Sequence, residues 1–148
     1  MAHEHIEHRA SPQGPVTELS DRASWDLLKR ATFGHLGVSL DGRPGIFPVD
    51  FRLDGETIVF RTAVGTKLAE LIANPHVAFE VDDRTELGTW SVVVNGIAQV
   101  IDDEAGREAA DLLIFPDWIP VEVYVYVRIM ASEIRGRIFA PRARVGLD

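Results

Sequence analysis

The chain has 148 residues, a formal net charge of -8 and a sequence pI near 5.1; this length is typical of one domain, and the acidity argues against broad binding to nucleic acids or anionic membranes. It contains no cysteine, which excludes a disulfide framework, a thiolate metal site and a thiol nucleophile and suits a reducing compartment. With neither an apolar leader nor a stretch approaching the ~20 apolar residues of a membrane span, we expect a cytoplasmic protein whose partner is a small molecule or another protein.

The first sixteen residues, "MAHEHIEHRASPQGPV", show no hydrophobic periodicity and contain two prolines. They predict a flexible N-terminal tail at residues 1–16, followed by a single domain at residues 17–148. His3, His5 and His8 lie in this tail, where imidazoles can converge on a metal ion. We favour the simpler interpretation, a tail without a metal site.

The next segment predicts a helix from an N-cap at Ser20 to about Arg30, with Trp25, Leu28 and Ala31 facing inward. Strand patterns follow in "FGHLGVSL", "PGIFPVDFRL" and "ETIVFRT". The turn signals Asp41-Gly42 and Asp54-Gly55 separate them. The pattern is typical of an antiparallel meander.

The second half contains three further strand patterns, "HVAFEVD", "WSVVVNGIAQVI" and "EVYVYVRI". Between the last two, "DEAGREAADLLIF" predicts a helix closed by Pro116. We expect its inward face to carry Ala105, Ala109, Leu112 and Leu113.

Six or seven strands with only three short helices predict a mainly β fold, an antiparallel barrel that is closed or partly closed. The chain is short for a barrel with a roomy interior. We therefore expect a ligand to lie outside the strands, against a second subunit.

The segment "FRTAVGTKL" joins a strand to a helix through Gly65 and concentrates two cations and two hydroxyls there: Arg61, Thr62, Thr66 and Lys67. The backbone N–H groups of a helix start also lack partners, so the same residues are suited to hold an anion. The alternative is a solvated strand end followed by an ordinary N-cap.

The ordered combination of "GHLGVSLDGRPGIFPVDFRLDGETIVFRTAVGTKLAELIANPHVAFEVD" and "WSVVVNGIAQVI" resembles the pyridoxamine 5'-phosphate oxidase-like, FMN-binding split-barrel family, especially its short actinobacterial-type members. The resemblance covers roughly residues 17–139. It implies a six-stranded antiparallel split β-barrel that forms a homodimer. It also implies FMN, or in some branches a deazaflavin coenzyme, at the dimer interface.

The resemblance further implies roles for individual residues. Arg61, Thr62, Thr66 and Lys67 would hold the FMN phosphate. The flavin ring would meet Pro48, Val49, Asp50 and Phe51, largely through their main chain. Further contacts would come from Trp90, Ser91 and Arg137.

Simpler interpretations remain open for several of these residues. Trp90 is equally suited to core or dimer packing, and Asp50 to the solvated side of its strand. We assign no catalytic residue and no metal site. Asp82, Asp83 and Glu86 fit a solvated turn, and His35 and His76 fit structural positions.

The expected function is an FMN-dependent oxidoreductase that transfers a hydride or electrons to a small organic substrate. The oxidase carries more basic residues for its phosphorylated substrate and a C-terminal segment that is not recognisable here, so we do not expect pyridoxamine 5'-phosphate as the substrate. "VGTKL" has one lysine where the oxidase turn usually has two adjacent basic residues, which makes the grip on the FMN phosphate weaker or shared with Arg61. One alternative is a deazaflavin-dependent reductase of the same fold. Another is a non-catalytic protein that binds flavin or haem, with His35 or His76 as a haem ligand.

Overall fold

A computed structural model describes residues 8–11, 14–86, 88–113, 115 and 124–140 of the chain. The strands are β1 (His8–Ser11), β2 (Gly14–Leu19), β3 (Phe33–Leu40), β4 (Arg43–Asp54), β5 (Thr57–Ala63), β6 (His76–Thr85), β7 (Gly88–Ile101) and β8 (Tyr124–Phe139). The helices are α1 (Asp21–Lys29), α2 (Thr66–Ala73) and α3 (Glu104–Asp111).

Six of these strands close into an antiparallel barrel. Their order is β8-β5-β4-β3-β6-β7, and β7 also pairs with β8, which completes the ring. Two tight turns set the first hairpins: Asp41 and Gly42 have φ of 51° and 76°, and Gly55 has φ of 59°. Positive φ is the conformation that two-residue hairpin loops require, so the Asp-Gly signals indicated both turns correctly.

The barrel wall has an apolar inward face, produced by strict alternation along the strands. Phe51, Phe60, Phe79 and Val94 are all fully buried in one core cluster. A smaller cluster on the outward face joins Val59 and Tyr126 to residues of the α3 region.

A β-bulge in β8 changes which residues of that strand face outward. Asn95 pairs with Glu133 while the next residue, Gly96, pairs with Ala131, so Ser132 is the extra residue. An extra residue reverses the alternation, because side-chain direction has a period of two. Ile129 is consequently inward before the bulge and Ile134 after it.

Helices α1 and α2 both contribute to the main core. The Ser20 hydroxyl accepts a hydrogen bond from Ala23 N at 3.1 Å, which confirms it as the N-cap of α1. Trp25 and Leu28 of α1 are buried, and α2 adds Leu68 and Leu71.

The predicted mainly β fold and antiparallel split barrel are therefore confirmed. The start of regular structure differs from the expectation, because residues 14–19 form β2, which pairs with the end of β8, and residues 8–11 pair with β2. Backbone pairing at a sheet edge needs no hydrophobic period, which is why the pattern did not indicate it.

The inward face predicted for α3 was right for Leu113, which is partly buried against the smaller cluster, and wrong for the other three residues. Ala110 is its buried residue, whereas Ala105 and Ala109 are exposed and Leu112, at the C-cap, is 81% exposed. The helix ends at Asp111, and the predicted closure at Pro116 lies outside the described residues.

Within the described part of the chain, each helix is too short or too polar to cross a bilayer.

Candidate functional site

The barrel wall divides the predicted flavin-binding residues of the strands into two groups. Side chains at the same alternate strand positions as the buried core residues face inward, and side chains at the positions between them face outward. The inward group is Val49, Phe51, Thr62 and Trp90. The outward group is Pro48, Asp50, Arg61, Ser91 and Arg137.

Arg61 lies on the outward side of β5, held between two aromatic rings. Its guanidinium carbon is 5.3 Å from the ring centre of Phe115 and 5.0 Å from that of Tyr124. Arg52 of β4 lies 5.4 Å from the same Phe115 ring. Cation–π contacts of this length orient a guanidinium while keeping its charge. Two cations are thereby concentrated beside one aromatic cluster.

Lys67 lies in the first turn of α2, partly buried, with its Nζ 5.3 Å from the ring centre of Phe47. Burial lowers the pKa of Lys67, since desolvation penalises the ammonium. Among the described residues no carboxylate lies within ion-pair distance of it. An anion placed here would therefore gain from an ammonium that is poorly solvated.

The start of α2 reinforces this anion site. Gly65 is the N-cap, no side chain caps the helix there, and the first turn contains no acidic residue. The exposed hydroxyl of Thr66 lies in the same turn. Thr66, Lys67 and the N–H groups of this turn are thus brought together as predicted from their spacing.

Thr62 is separated from these groups by the alternation of β5. It is only 7% exposed, and its hydroxyl donates a long hydrogen bond of 3.3 Å to Ala63 O. Its neighbours in the strand, Phe60 and Ile58, belong to the main core.

The segment Pro48–Phe51 presents alternate side chains to the two faces of β4. Val49 and Phe51 are buried, whereas Pro48 is exposed and Asp50 is half-buried. Only Pro48, Asp50 and the main chain are accessible to a ligand outside the barrel. The half-solvated position of Asp50 matches the simpler interpretation of this carboxylate.

Ser91 and Arg137 are directly opposite each other on β7 and β8. Arg137 Nε is 3.9 Å from Glu18 Oε1, so this guanidinium already faces a carboxylate. Trp90 lies on the opposite side of β7 and packs against the core cluster. Sequence spacing did not indicate the Ser91–Arg137 pairing, because it depends on how β7 and β8 align.

Arg61 and Arg137, two of the predicted cofactor-binding cations, lie at opposite ends of β8. Arg61 is paired with Tyr126 near the start of this 16-residue strand, and Arg137 is near its end. At about 3.3 Å per residue, the separation is on the order of 30 Å. One small ligand cannot contact both groups within a single protomer.

A further group of titratable residues was missed by the sequence analysis. His35, Glu80 and Asp82 have polar atoms within 4.8 Å of one another, and His35 Nδ1 is 3.8 Å from Glu80 Oε1. Burial and the neighbouring Asp82 raise the pKa of Glu80 to about 7. The sequence did show that Glu80 and Asp82, two residues apart on one strand, lie on the same face. It did not show that His35 lies beside them, because that depends on how β3 pairs with β6.

The closed six-stranded barrel and its strand order place the chain among the split-barrel proteins. It is similar to a solved Corynebacterium glutamicum protein provisionally named a pyridoxamine 5'-phosphate oxidase, with 36% identity and a TM-score of 0.79 over 85% of this chain and 99% of that one. It is also similar to an FAD-binding protein of Mycobacterium smegmatis, with 37% identity and a TM-score of 0.75 over 84% and 98% of the two chains. A solved F420 reductase is 25% identical, with a TM-score of 0.58 over 74% and 93%.

The sequence model of the pyridoxamine 5'-phosphate oxidase family matches residues 20–138. The chain therefore belongs to this family, and the resemblance found in its sequence is confirmed.

Proposed function

We propose that the protein is a flavin-dependent oxidoreductase that binds FMN and acts on a small organic substrate. The observation that carries the proposal is the partly buried Lys67 at the uncapped start of α2, a site prepared for a phosphate. Family membership supports a flavin-type cofactor, as do an FAD-binding protein and an F420 reductase among the similar structures.

The phosphate end of such a cofactor fits the described residues. Lys67 and Arg61 supply positive charge, Thr66 supplies a hydroxyl, and the first turn of α2 supplies N–H donors. The chain as a whole is acidic, so attraction of a phosphate must come from this local arrangement rather than from the net charge.

At the ring end, β4 would act mainly through its backbone. Phe51 and Val49 anchor the strand in the core, which fixes the outward main-chain groups between them. A bound flavin would supply hydride or single-electron transfer, which requires no protein nucleophile. The role of the chain is to bind the cofactor, orient it and leave its substrate side accessible.

We further propose a homodimer as the functional unit. Arg61 lies near the start of β8, and Ser91 and Arg137 lie near its end. A second copy is therefore needed if both groups are to contact one flavin. The cytoplasm is the expected compartment, in keeping with the cysteine-free sequence.

The first test is a fluorescence titration of the purified protein with FMN, FAD and F420. We expect FMN to bind most tightly. Replacing Lys67 and Arg61 with alanine should weaken FMN binding by up to about 6 kcal/mol, since each charge-assisted bond contributes ~1.5–3 kcal/mol. Arg107→Ala is the matched control, because Arg107 is exposed on α3. Unchanged affinity in the double variant would remove both residues from the site.

Mixing of subunits tests separately whether each flavin site is shared between two protomers. Lys67→Ala and Arg137→Ala each damage a different half of the proposed site. If one site draws on two subunits, a mixed dimer of these variants contains one intact site and one doubly damaged site. We expect tight FMN binding at half of the sites in the mixed dimers, which are separated from the two homodimers before titration; no restoration, or a monomer in light scattering, would reject the shared site.

A deazaflavin-dependent reductase is the second candidate, favoured by the similarity to the F420 reductase. The acidic tail of that coenzyme would need more cations than Arg61 and Lys67 provide. Tighter binding of F420 than of FMN in the titration would select this candidate. Binding of none of the three coenzymes would reject both.

A further inference from the structure

A pocket lies where the end of α1, the end of β4 and the residues after α3 meet. It encloses about 610 Å³, and its described lining includes no residue of α2. This volume is within the range of about 300–1,000 Å³ that small-molecule sites occupy. The pocket is thus large enough for a ligand of its own.

Four of the nine described lining residues are leucines. Leu53 comes from β4, and Leu112 and Leu113 follow α3, whereas Leu28 of α1 is fully buried and offers no surface to a ligand. Leu112 is 81% exposed. Removal of an exposed leucine side chain from water is favourable, so an apolar ligand in this pocket would gain from contact with it.

The charged residues of the lining are both cations, Lys29 and Arg52. None of its described residues is acidic, on a chain of formal net charge -8. Arg52 Nη1 donates to Phe51 O at 2.7 Å, and the Phe115 ring lies 5.4 Å from its guanidinium. These contacts hold the Arg52 charge in place beside an apolar surface.

Each cation has an ordinary structural role when considered alone. Lys29 lies in the last turn of α1, where a positive charge is favourable. The carbonyls at this helix end already accept bonds from Arg30 N and Ala31 N, which limits their repulsion of an anion. Both cations nevertheless line the same pocket as Leu53, Leu112 and Leu113.

We propose that this pocket binds a small amphipathic carboxylate, with the carboxylate at Lys29 and Arg52 and the apolar part against the leucines. The mainly apolar lining favours such a ligand over a phosphate or another fully polar anion. The pocket adjoins the proposed flavin site, because Arg52 and Arg61 contact the same Phe115 ring, but its described lining contains neither Arg61 nor Lys67.

The test is isothermal titration of the full chain, in the presence of FMN, with octanoate and with its neutral analogue octanamide. We expect octanoate to saturate one site per chain and to bind at least tenfold more tightly than octanamide. Lys29→Gln with Arg52→Gln should remove this difference. Arg22→Gln, an exposed change on the same helix as Lys29, should leave it intact.

Three further variants keep the test decisive if the double variant folds poorly. Lys29→Gln alone changes an exposed side chain and should weaken octanoate several-fold without affecting octanamide. Leu112→Asn should weaken both probes to a similar extent. Lys67→Ala should not change octanoate binding, which separates this site from the flavin site.

Equal affinity for octanoate and octanamide would overturn the proposal. So would binding that does not saturate, or octanoate binding that Lys29→Gln leaves unchanged.

Discussion

The inward and outward residues of the barrel wall come from the same strands, yet they meet different physical requirements. Phe51 and Thr62 face a close-packed core, whereas Asp50 and Arg61 beside them face solvent or a ligand. Substitution of an inward residue should therefore act on stability, and substitution of an outward residue on binding. The comparison teaches that neighbouring positions in a binding motif need not share a role.

The largest expected difference is between Phe51→Ala and Asp50→Ala. Phe51 is fully buried and packs edge-on against Phe79 at 4.9 Å, so its removal should cost about 3–5 kcal/mol of unfolding free energy. Asp50→Ala should change stability by no more than about 0.5 kcal/mol. Urea unfolding of both variants measures this; similar losses would show that the two faces are not distinct.

Tyr126 sharpens the comparison, because it is an outward residue that is nevertheless buried beneath the α3 region. Its hydroxyl donates to Asp111 Oδ1 at 2.6 Å. Tyr126→Phe should cost about 1.5–3 kcal/mol, the usual contribution of a hydrogen bond to a charged group. Asp111→Asn keeps an acceptor and should cost less. Thermal unfolding that ranks the two variants in the opposite order would contradict this account.

Glu80 tests whether the contribution of an outward residue to stability depends on pH. The pKa of Glu80 is raised to about 7 because burial and Asp82 disfavour its ionised form. Protonated Glu80 therefore stabilises the fold below about pH 4.5, and this stability is lost as the pH rises to about 7. The side chain is 33% exposed, so after discounting for solvent the loss is about 1–2 kcal/mol.

Urea unfolding between pH 5 and pH 8 measures this loss. Glu80→Gln has no proton to lose and should reduce the decline over this range. Asp83→Asn, an exposed change nearby on β6, is the control. If stability declines equally in Glu80→Gln, another titratable group causes the decline.

The sequence was sufficient to predict the parts of the fold that depend on local patterns. Alternation predicted the inward face of β6, and the Asp-Gly pairs predicted two turns, because these features depend on residues close together in the chain. The start of α2 was predictable for the same reason. The local grouping of Gly65, Thr66 and Lys67 needs no tertiary contact.

The rest of the candidate site depends on register, which the sequence pattern does not contain. Arg137 is opposite Ser91 only because Ser132 forms a bulge in β8. Phe115 stacks with Arg61 across elements that are distant in the chain. The approach of His35 to Glu80 likewise follows from strand order. Such contacts between strands cannot be read from spacing within one strand.

The smallest expected effect is that of Thr62, which lies in sequence between Arg61 and Lys67, the residues proposed to bind phosphate. Thr62→Val keeps the shape of a buried side chain and removes only a hydroxyl with a 3.3 Å hydrogen bond, so stability should change by about 1 kcal/mol or less. Because the hydroxyl faces the core, FMN affinity should stay within about twofold, unlike in Lys67→Ala. The contrary result would be a loss of FMN affinity as large as that of Lys67→Ala with stability unchanged. It would mean that the Thr62 side chain turns from the inward to the outward face of β5 when the ligand binds.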